Sequence, residues 1–349
     1  MHYKMVSTKY PEVSIIALCY NEKAFQDTLL KSIKQLNYPG KIQTLLVDNN
    51  SSDGSAAYVK KNYSWVKVIE NKENVGTPGF NLAIPHLTGK YVVWVGSDTK
   101  FDKNAIKIMV DYLEKHEKVG GLYPQVVDFE GKYLEGWYCF SRTLYFFSTL
   151  EKTESKEYSA IGPGMLRKDI LDKIGYIYDP DYFYSYEDVD LCLRIKMLGY
   201  IIEYHRDALL YHRGSISFNK RNKPAKLIFL GDRNALITFF KINSIGTLLV
   251  YFPYTLFFRL LIMVKELVTL QPLKAFARLR AIVWVFFHMG MVLRKRRQVQ
   301  SYRKVSDRFI YSFADEGKFI REGFKKLFTR ETFDVQQFHT KHRKSVKNK

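Results

Sequence analysis

The sequence predicts an α/β fold around a mostly parallel central sheet, followed by a helical, basic C-terminal region. Three observations carry this. Short apolar runs alternate with helix-like stretches over the first hundred residues. The runs are apolar at successive rather than alternate positions, as suits strands covered on both faces. Each run also ends in a polar cluster, the place where open α/β sheets bind ligands.

The elements follow in order. Residues 13–18 read as a strand, 23–36 as a helix, 44–47 as a strand, 55–62 as a helix and 67–70 as a strand, a β-α-β-α-β rhythm. Residues 91–95 form a further buried strand. The clusters at these strand ends are Tyr20-Asn21-Glu22, Asp48-Asn49-Asn50-Ser51 and Gly96-Ser97-Asp98-Thr99. From 118 to 160 the pattern loosens into Gly- and Tyr-rich segments, where acceptor-side loops are expected. A second organised block, 161–212, contains a helix over 187–198 closed by Gly199 and a strand over 200–204.

Beyond residue 220 the chain turns aromatic, aliphatic and basic. Residues 242–258 carry no charge, and at about 17 residues the stretch sits at the lower limit for a bilayer span. Residues 281–293 are too few to span and run directly into Arg294, Lys295, Arg296 and Arg297. An apolar face beside a basic cluster predicts monotopic attachment to an anionic cytoplasmic lipid surface. A true span and buried soluble helices are the competing readings. The expected division is a catalytic domain over 1–220, a helical membrane-associated region over 221–300 and a basic tail over 301–349.

A chain of 349 residues, 46% hydrophobic, can bury one large domain and an appendage. Its net charge of +20 draws it to phosphates, whether of nucleic acid, lipid or nucleotide. Cys19, Cys139 and Cys192 have no metal-site spacing and are odd in number, so a reducing compartment fits best. Residues 1–10 are polar and lack a secretory signal, which places the first domain in the cytosol.

Four constellations carry chemistry. Asp48 and Asn49 close a strand where a carboxylate and an amide can meet a base edge and ribose; turn formation competes, and Ser52 or Asp53 caps the next helix. Asp98, exposed after a strand, suits a divalent cation held against a diphosphate, since hard cations bind through one or two carboxylates plus phosphates. His212 can complete that shell through a ring nitrogen. Glu187, Asp188 and Asp190 open a helix, where the dipole favours negative charge and holds their pKa values down, leaving one ready to take a proton. Glu187 and Asp190 share a face at i, i+3, and Asp188 points elsewhere. Asn71 to Gly76, before a helix, offers amides to phosphate, with an ordinary βα loop as the alternative. Gly162-Pro163-Gly164 lines an acceptor pocket or forms a turn.

The order of these segments resembles family 2 glycosyltransferases: Val13-Ser14-Ile15-Ile16 to Tyr20-Asn21-Glu22, Asp48 to Ser55, Asn74-Val75-Gly76 with Asn81, then Gly89-Lys90-Tyr91 into Ser97-Asp98-Thr99. Gly162-Pro163-Gly164-Met165, Ile174-Gly175, Glu187-Asp188-Val189-Asp190 and Gly199 to His212 are similar to the rhamnosyltransferase-like branch. The resemblance spans about 12–217. It implies a GT-A fold, inversion at the anomeric carbon, a nucleotide-sugar donor and a divalent cation, Mn²⁺ or Mg²⁺. It implies that Asp48 contacts the base, Asp98 and His212 hold the metal, and Asp188, with Glu187, is the catalytic base. Tyr20, Asn21, Glu22, Asn49, Asn74, Gly76, Ser97 and Arg233 fall on the donor side, and Gly164 and Asp190 on that of a glycan or lipid-linked acceptor. One departure stands out: many members carry Asp or Asn where this chain has Gly96, which removes a side-chain ligand. A nucleic-acid binder, suggested by the charge, leaves the acidic cluster unexplained. A catalytically inactive sugar-nucleotide binder is the other alternative, and a nucleotidyltransferase lacks its Gly-rich triphosphate loop.

Overall fold

The computed structural model describes residues 10–131, 137–144, 146–149, 162–213, 224–317 and 320–321, with side chains left aside at 137–140 and 146–149. Residues 1–9, much of the 118–160 loop segment, Ile161, the side chain of Cys139 and the tail beyond 321 lie outside this set.

The chain runs β1 (Val13–Cys19), a 3₁₀ turn (Lys23–Phe25), α1 (Gln26–Lys34), β2 (Ile42–Asp48), α2 (Ser55–Asn62), β3 (Lys67–Glu70), a 3₁₀ segment (Thr77–His86) and β4 (Tyr91–Gly96). Then come β5 (Thr99–Phe101), α3 (Ala105–Lys115), β6 (Val119–Val127), the hairpin β7 (Trp137–Phe140) and β8 (Phe146–Thr149), β9 (Gly164–Arg167), α4 (Lys168–Ile174), α5 (Glu187–Met197) and β10 (Ile201–His212). Five helices follow: α6 (Pro224–Ile242), α7 (Ile245–Val268), α8 (Pro272–Phe287), α9 (Met289–Ser301) and α10 (Asp307–Ile310).

Eight strands form one sheet in the order β3-β2-β1-β4-β9-β6-β10-β5. β1 pairs in parallel with β2 and β4, while β9 runs antiparallel between β4 and β6. Side chains alternate across it as the double-sided apolar runs require. Ile15 and Ala17 pack with Leu29 and Leu30 of α1 and Met109 of α3. Ile16 and Trp94 pack on the other face with Ile170 of α4 and Leu191 and Ile195 of α5. Cys19 and Cys192 are buried.

Three elements differ from expectation. The stretch after Gly76 is 3₁₀ rather than α, with Pro78 and Pro85 removing donors. The strand expected over 200–204 continues to His212, a register shift between His205 and Leu209 keeping it on β6. The apolar run 281–293 straddles α8 and α9, which are bent by 71° at their junction.

The C-terminal helices pack on α5. Leu193 and Met197 meet Ala235 and Phe239 of α6 in one apolar cluster. Charges cross the same boundary: buried Lys241 lies 2.7 Å from Asp179 and 2.6 Å from Asp190, and Arg194 is 2.8 Å from Asp190.

Candidate active site

A cavity of about 300 Å³ opens at the carboxyl ends of β1, β2 and β4, the location an α/β sheet offers a ligand. Tyr20, Glu22, Asn49, Asn74, Gly76, Asp98, Glu187, Asp188 and His212 all line it. Residues about 190 apart in sequence therefore meet in one site.

On one side, antiparallel pairing sets His212 opposite Thr99, so its ring reaches the preceding Asp98. His212 Nε2 lies 3.0 Å from Asp98 Oδ1. Burial by itself pushes the Asp98 carboxyl up, but the charge and hydrogen bond of His212 outweigh it and hold the group below its ordinary range. His212 responds in the opposite sense: burial lowers it, and Asp98 raises it above its usual value. Gly96 has a local role here, since a Cβ at that position would stand 2.8 Å from Asp98 Oδ1. Among the described residues no group of three or more His, Cys, Asp or Glu is arranged for a metal. Two protein donors facing an open cavity still fit Mg²⁺ or Mn²⁺, which keep several waters and take phosphate oxygens.

On the other side stand Glu187 and Asp188. Ser185 (φ 75°) and Tyr186 (φ 73°) adopt left-handed backbone just ahead of them, a conformation non-glycine residues hold only when their surroundings enforce it. Asn234 of α6 supplies part of that enforcement, donating to Tyr184 O at 3.0 Å and Ser185 O at 2.7 Å. The Tyr186 hydroxyl donates to Leu144 O at 2.5 Å.

Burial drives Glu187 up to about 7. Burial and then the adjacent Glu187 charge drive Asp188 well above the carboxylate range, only partly offset by Tyr178. This reverses the expectation from the helix dipole, because the loss of water outweighs the favourable end of α5. Glu187 Oε2 is buried without a hydrogen-bond partner. Asp188 Oδ1 accepts from the Tyr178 hydroxyl at 2.5 Å, and Tyr178 accepts from Trp94 Nε1 at 2.9 Å. Tyr178 is in turn held by Asn81, which takes two backbone N–H groups at 2.9 and 3.2 Å and donates to Tyr178 O at 2.6 Å. Gly162 makes the close approach possible: a Cβ there would lie 2.3 Å from Asp188 Oδ1.

The residues expected on the donor side divide by their contacts. Asn49 donates to Asn74 Oδ1 and Gly76 O, both at 2.9 Å, clamping the 71–76 loop. Gly76 (φ 75°) is irreplaceable, since a Cβ would sit 1.8 Å from Phe183 O. Asp48 lies behind the cavity lining; its Oδ2 accepts from Ser51 N at 3.0 Å, and its buried Oδ1 has no partner. Asn21 Oδ1 accepts from Ser52 N at 2.7 Å, stitching two loops together. Ser97 is fully buried, with Oγ 2.5 Å from Glu22 Oε2, so it orients Glu22. Asp53 Oδ1 accepts from Ser55 N at 3.0 Å at the start of α2.

Besides Asn21, Asp48 and Ser97, three more expected site residues lie outside the cavity lining. Asp190 is sealed between Arg194 and Lys241, so Glu187 and Asp188, rather than Glu187 and Asp190, share the cavity side. Gly164 is buried in β9 opposite Trp94. Arg233 donates to Asp181 O at 2.7 Å and Asn234 Oδ1 at 3.0 Å, buttressing the turn from outside. Sequence reasoning missed Tyr178, whose isolated position in the chain gives no motif.

Residues 14–175 match the family described as Glycosyl transferase family 2. It is 29% identical over 114 residues to poly-beta-1,6-N-acetyl-D-glucosamine synthase of Staphylococcus epidermidis, covering 32% of this chain and 27% of that protein. It is also 29% identical over 108 residues to poly(ribitol-phosphate) beta-N-acetylglucosaminyltransferase TarS of Staphylococcus aureus, covering 30% of this chain and 19% of the other. The alignments thus span about a quarter or less of those relatives. The crystal structure of GalNAc-T7 with UDP, GalNAc and Mn²⁺ superposes with a TM-score of 0.50 at 13% identity, over 66% of this chain and 48% of that one, a likeness of fold. The fold is GT-A, as the resemblance implied.

Proposed function

We propose that this protein is an inverting glycosyltransferase that moves a sugar from a nucleoside-diphosphate-sugar donor to a hydroxyl of a glycan or lipid-linked acceptor. The observation that carries this reading is the meeting of Asp98 and His212 with Glu187 and Asp188 around one cavity. The names of the relatives, a polysaccharide synthase and a polymer glycosyltransferase, support the substrate class. The rhamnosyltransferase-like branch remains part of this proposal.

The donor base lies on the Asn49 side of the cavity, behind which Asp48 keeps a buried, unpartnered Oδ1, and the diphosphate lies toward Asp98 and the 74–76 loop. Asp98 and His212 are the residues that would hold Mn²⁺ or Mg²⁺, which when bound supplies Lewis-acid stabilisation of the departing diphosphate. GalNAc-T7, sharing the fold, was solved with UDP and Mn²⁺. Asp188 has one oxygen fixed by Tyr178, so its other oxygen is left to take the acceptor hydroxyl proton as the acceptor oxygen attacks the anomeric carbon and the bond to the diphosphate breaks. Glu187 modulates Asp188 by its proximity and lines the acceptor side. The three expected units, 1–220, 221–300 and 301–349, serve as catalytic domain, membrane-associating helices and basic tail. The C-terminal basic residues support action at the cytoplasmic face of the cell membrane.

A thermal-shift panel of UDP-, GDP- and dTDP-sugars with and without Mn²⁺ tests the donor. A native-state ligand at 100 times its Kd adds about 2.7 kcal/mol of stability, so one base should raise the melting temperature by several degrees, and more with Mn²⁺. No shift with any nucleotide sugar would overturn the reading.

A further inference from the structure

The α7–α8 hairpin is inverted in polarity. Three of its charged groups face inward: Arg259, Glu266 and Arg278 are buried, and Arg278 lies 2.7 Å from Asp232 of α6 and 2.9 Å from Glu266. Its outward side is apolar. On α7, Val250, Phe257, Leu260, Val264 and Leu267 recur at spacings of 7, 3, 4 and 3 and are 46–58% exposed. On α8, Leu273, Phe276, Val283 and Phe287 recur at 3, 7 and 4, reaching 84% exposure at Phe287, and Leu270 at the connecting turn is 88% exposed. A water-soluble helix pair does the reverse, and a continuous apolar face of this length marks an interaction surface.

We infer that this hairpin lies flat in one leaflet of an anionic bilayer, its apolar stripe in the acyl region and its basic flanks among the lipid headgroups. Charge selects this occupant over a second copy of the chain. Between residues 245 and 301 one acidic residue, the buried Glu266, stands against nine Lys and Arg, and two chains of +20 would repel each other. Lys274, Arg280, Arg294 and Arg297 are at least partly exposed on these helices. The in-plane orientation follows from packing: α7 is long and apolar enough to span, but Arg259 and Glu266 hold its inner side to α6 and α8, and α6 is fixed to α5. A helix laid along a folded domain cannot also cross the bilayer.

This inference deepens the membrane placement proposed above and is independent of the catalytic assignments. Flotation of the full chain with vesicles of phosphatidylcholine alone, or of phosphatidylcholine with about 30 mol% phosphatidylglycerol, provides the test. The wild type is expected to float with the anionic vesicles and to stay partly bound in about 0.5 M NaCl, where charge contacts are screened and apolar insertion persists. Leu260→Glu with Phe276→Glu should weaken binding at least ~10-fold without lowering the melting temperature, since both side chains are exposed. Val250→Glu with Phe287→Glu is a second pair should the first misfold. Full-strength binding by both pairs, abolished by salt, would overturn the hairpin's role yet leave membrane placement standing. No binding by the wild type would overturn both. A wild-type dimer dissociated by these variants would instead assign the face to a second copy and also overturn the inference.

Discussion

Asp98 and Asp188 line the same cavity and are both largely withdrawn from water, yet one carboxyl is held below its ordinary range and the other well above it. Burial acts on both in the same direction. The difference comes from the neighbour: an imidazole faces Asp98, and a second carboxyl adjoins Asp188. Environments that separate the pKa values of two like groups allow them different chemical roles. The anionic pole suits a cation and diphosphate, and the raised carboxyl suits proton transfer.

Removing the base should have the largest effect. Asp188→Asn keeps the shape and the Tyr178 contact but cannot accept a proton, so turnover should fall about 10²- to 10⁴-fold, as measured by product release at saturating donor. Loosening the support should cost less. Asn234→Ala removes two hydrogen bonds from the Tyr184–Ser185 turn, each worth about 0.5–1.5 kcal/mol, and kcat should drop roughly 10-fold with little change in donor KM. If KM moved and kcat did not, the turn would serve donor binding instead.

The smallest expected effect is a displacement of the pH profile. Because burial pushes both carboxyls up, the base is protonated at low pH, and activity should rise with pH on a limb displaced above the ordinary carboxylate range. Glu187→Gln removes the like charge beside Asp188, lowers that carboxyl, and should move the acidic limb down. An upward move would contradict the origin assigned to the shift.

Much of this contrast was legible in the sequence because strand ends and a helix start are local. Asp98, Asp188 and His212 each sit at such a terminus, and the order of segments indicated that they meet. The sign of the Asp188 shift was not legible. It depends on burial by Tyr178, Trp94 and the Gly162 loop, none adjacent in sequence, and the dipole alone points the other way. Asp190 misled for a similar reason: helical spacing groups it with Glu187, but the partners that claim it, Arg194 and Lys241, include one from a helix about fifty residues away. The apolar runs after residue 240 were visible, whereas the inward turn of their charges depended on the packing of α6, α7 and α8.

The separation of the two poles can be measured directly by titrating the donor, with and without Mn²⁺, into Asp98→Asn and Asp188→Asn side by side. The account predicts that Asp188→Asn binds donor within about twofold of wild type and keeps the Mn²⁺ enhancement, while Asp98→Asn loses that enhancement and binds about 10- to 100-fold more weakly. Equal losses in both variants, or an Mn²⁺ enhancement that survives Asp98→Asn, would contradict it.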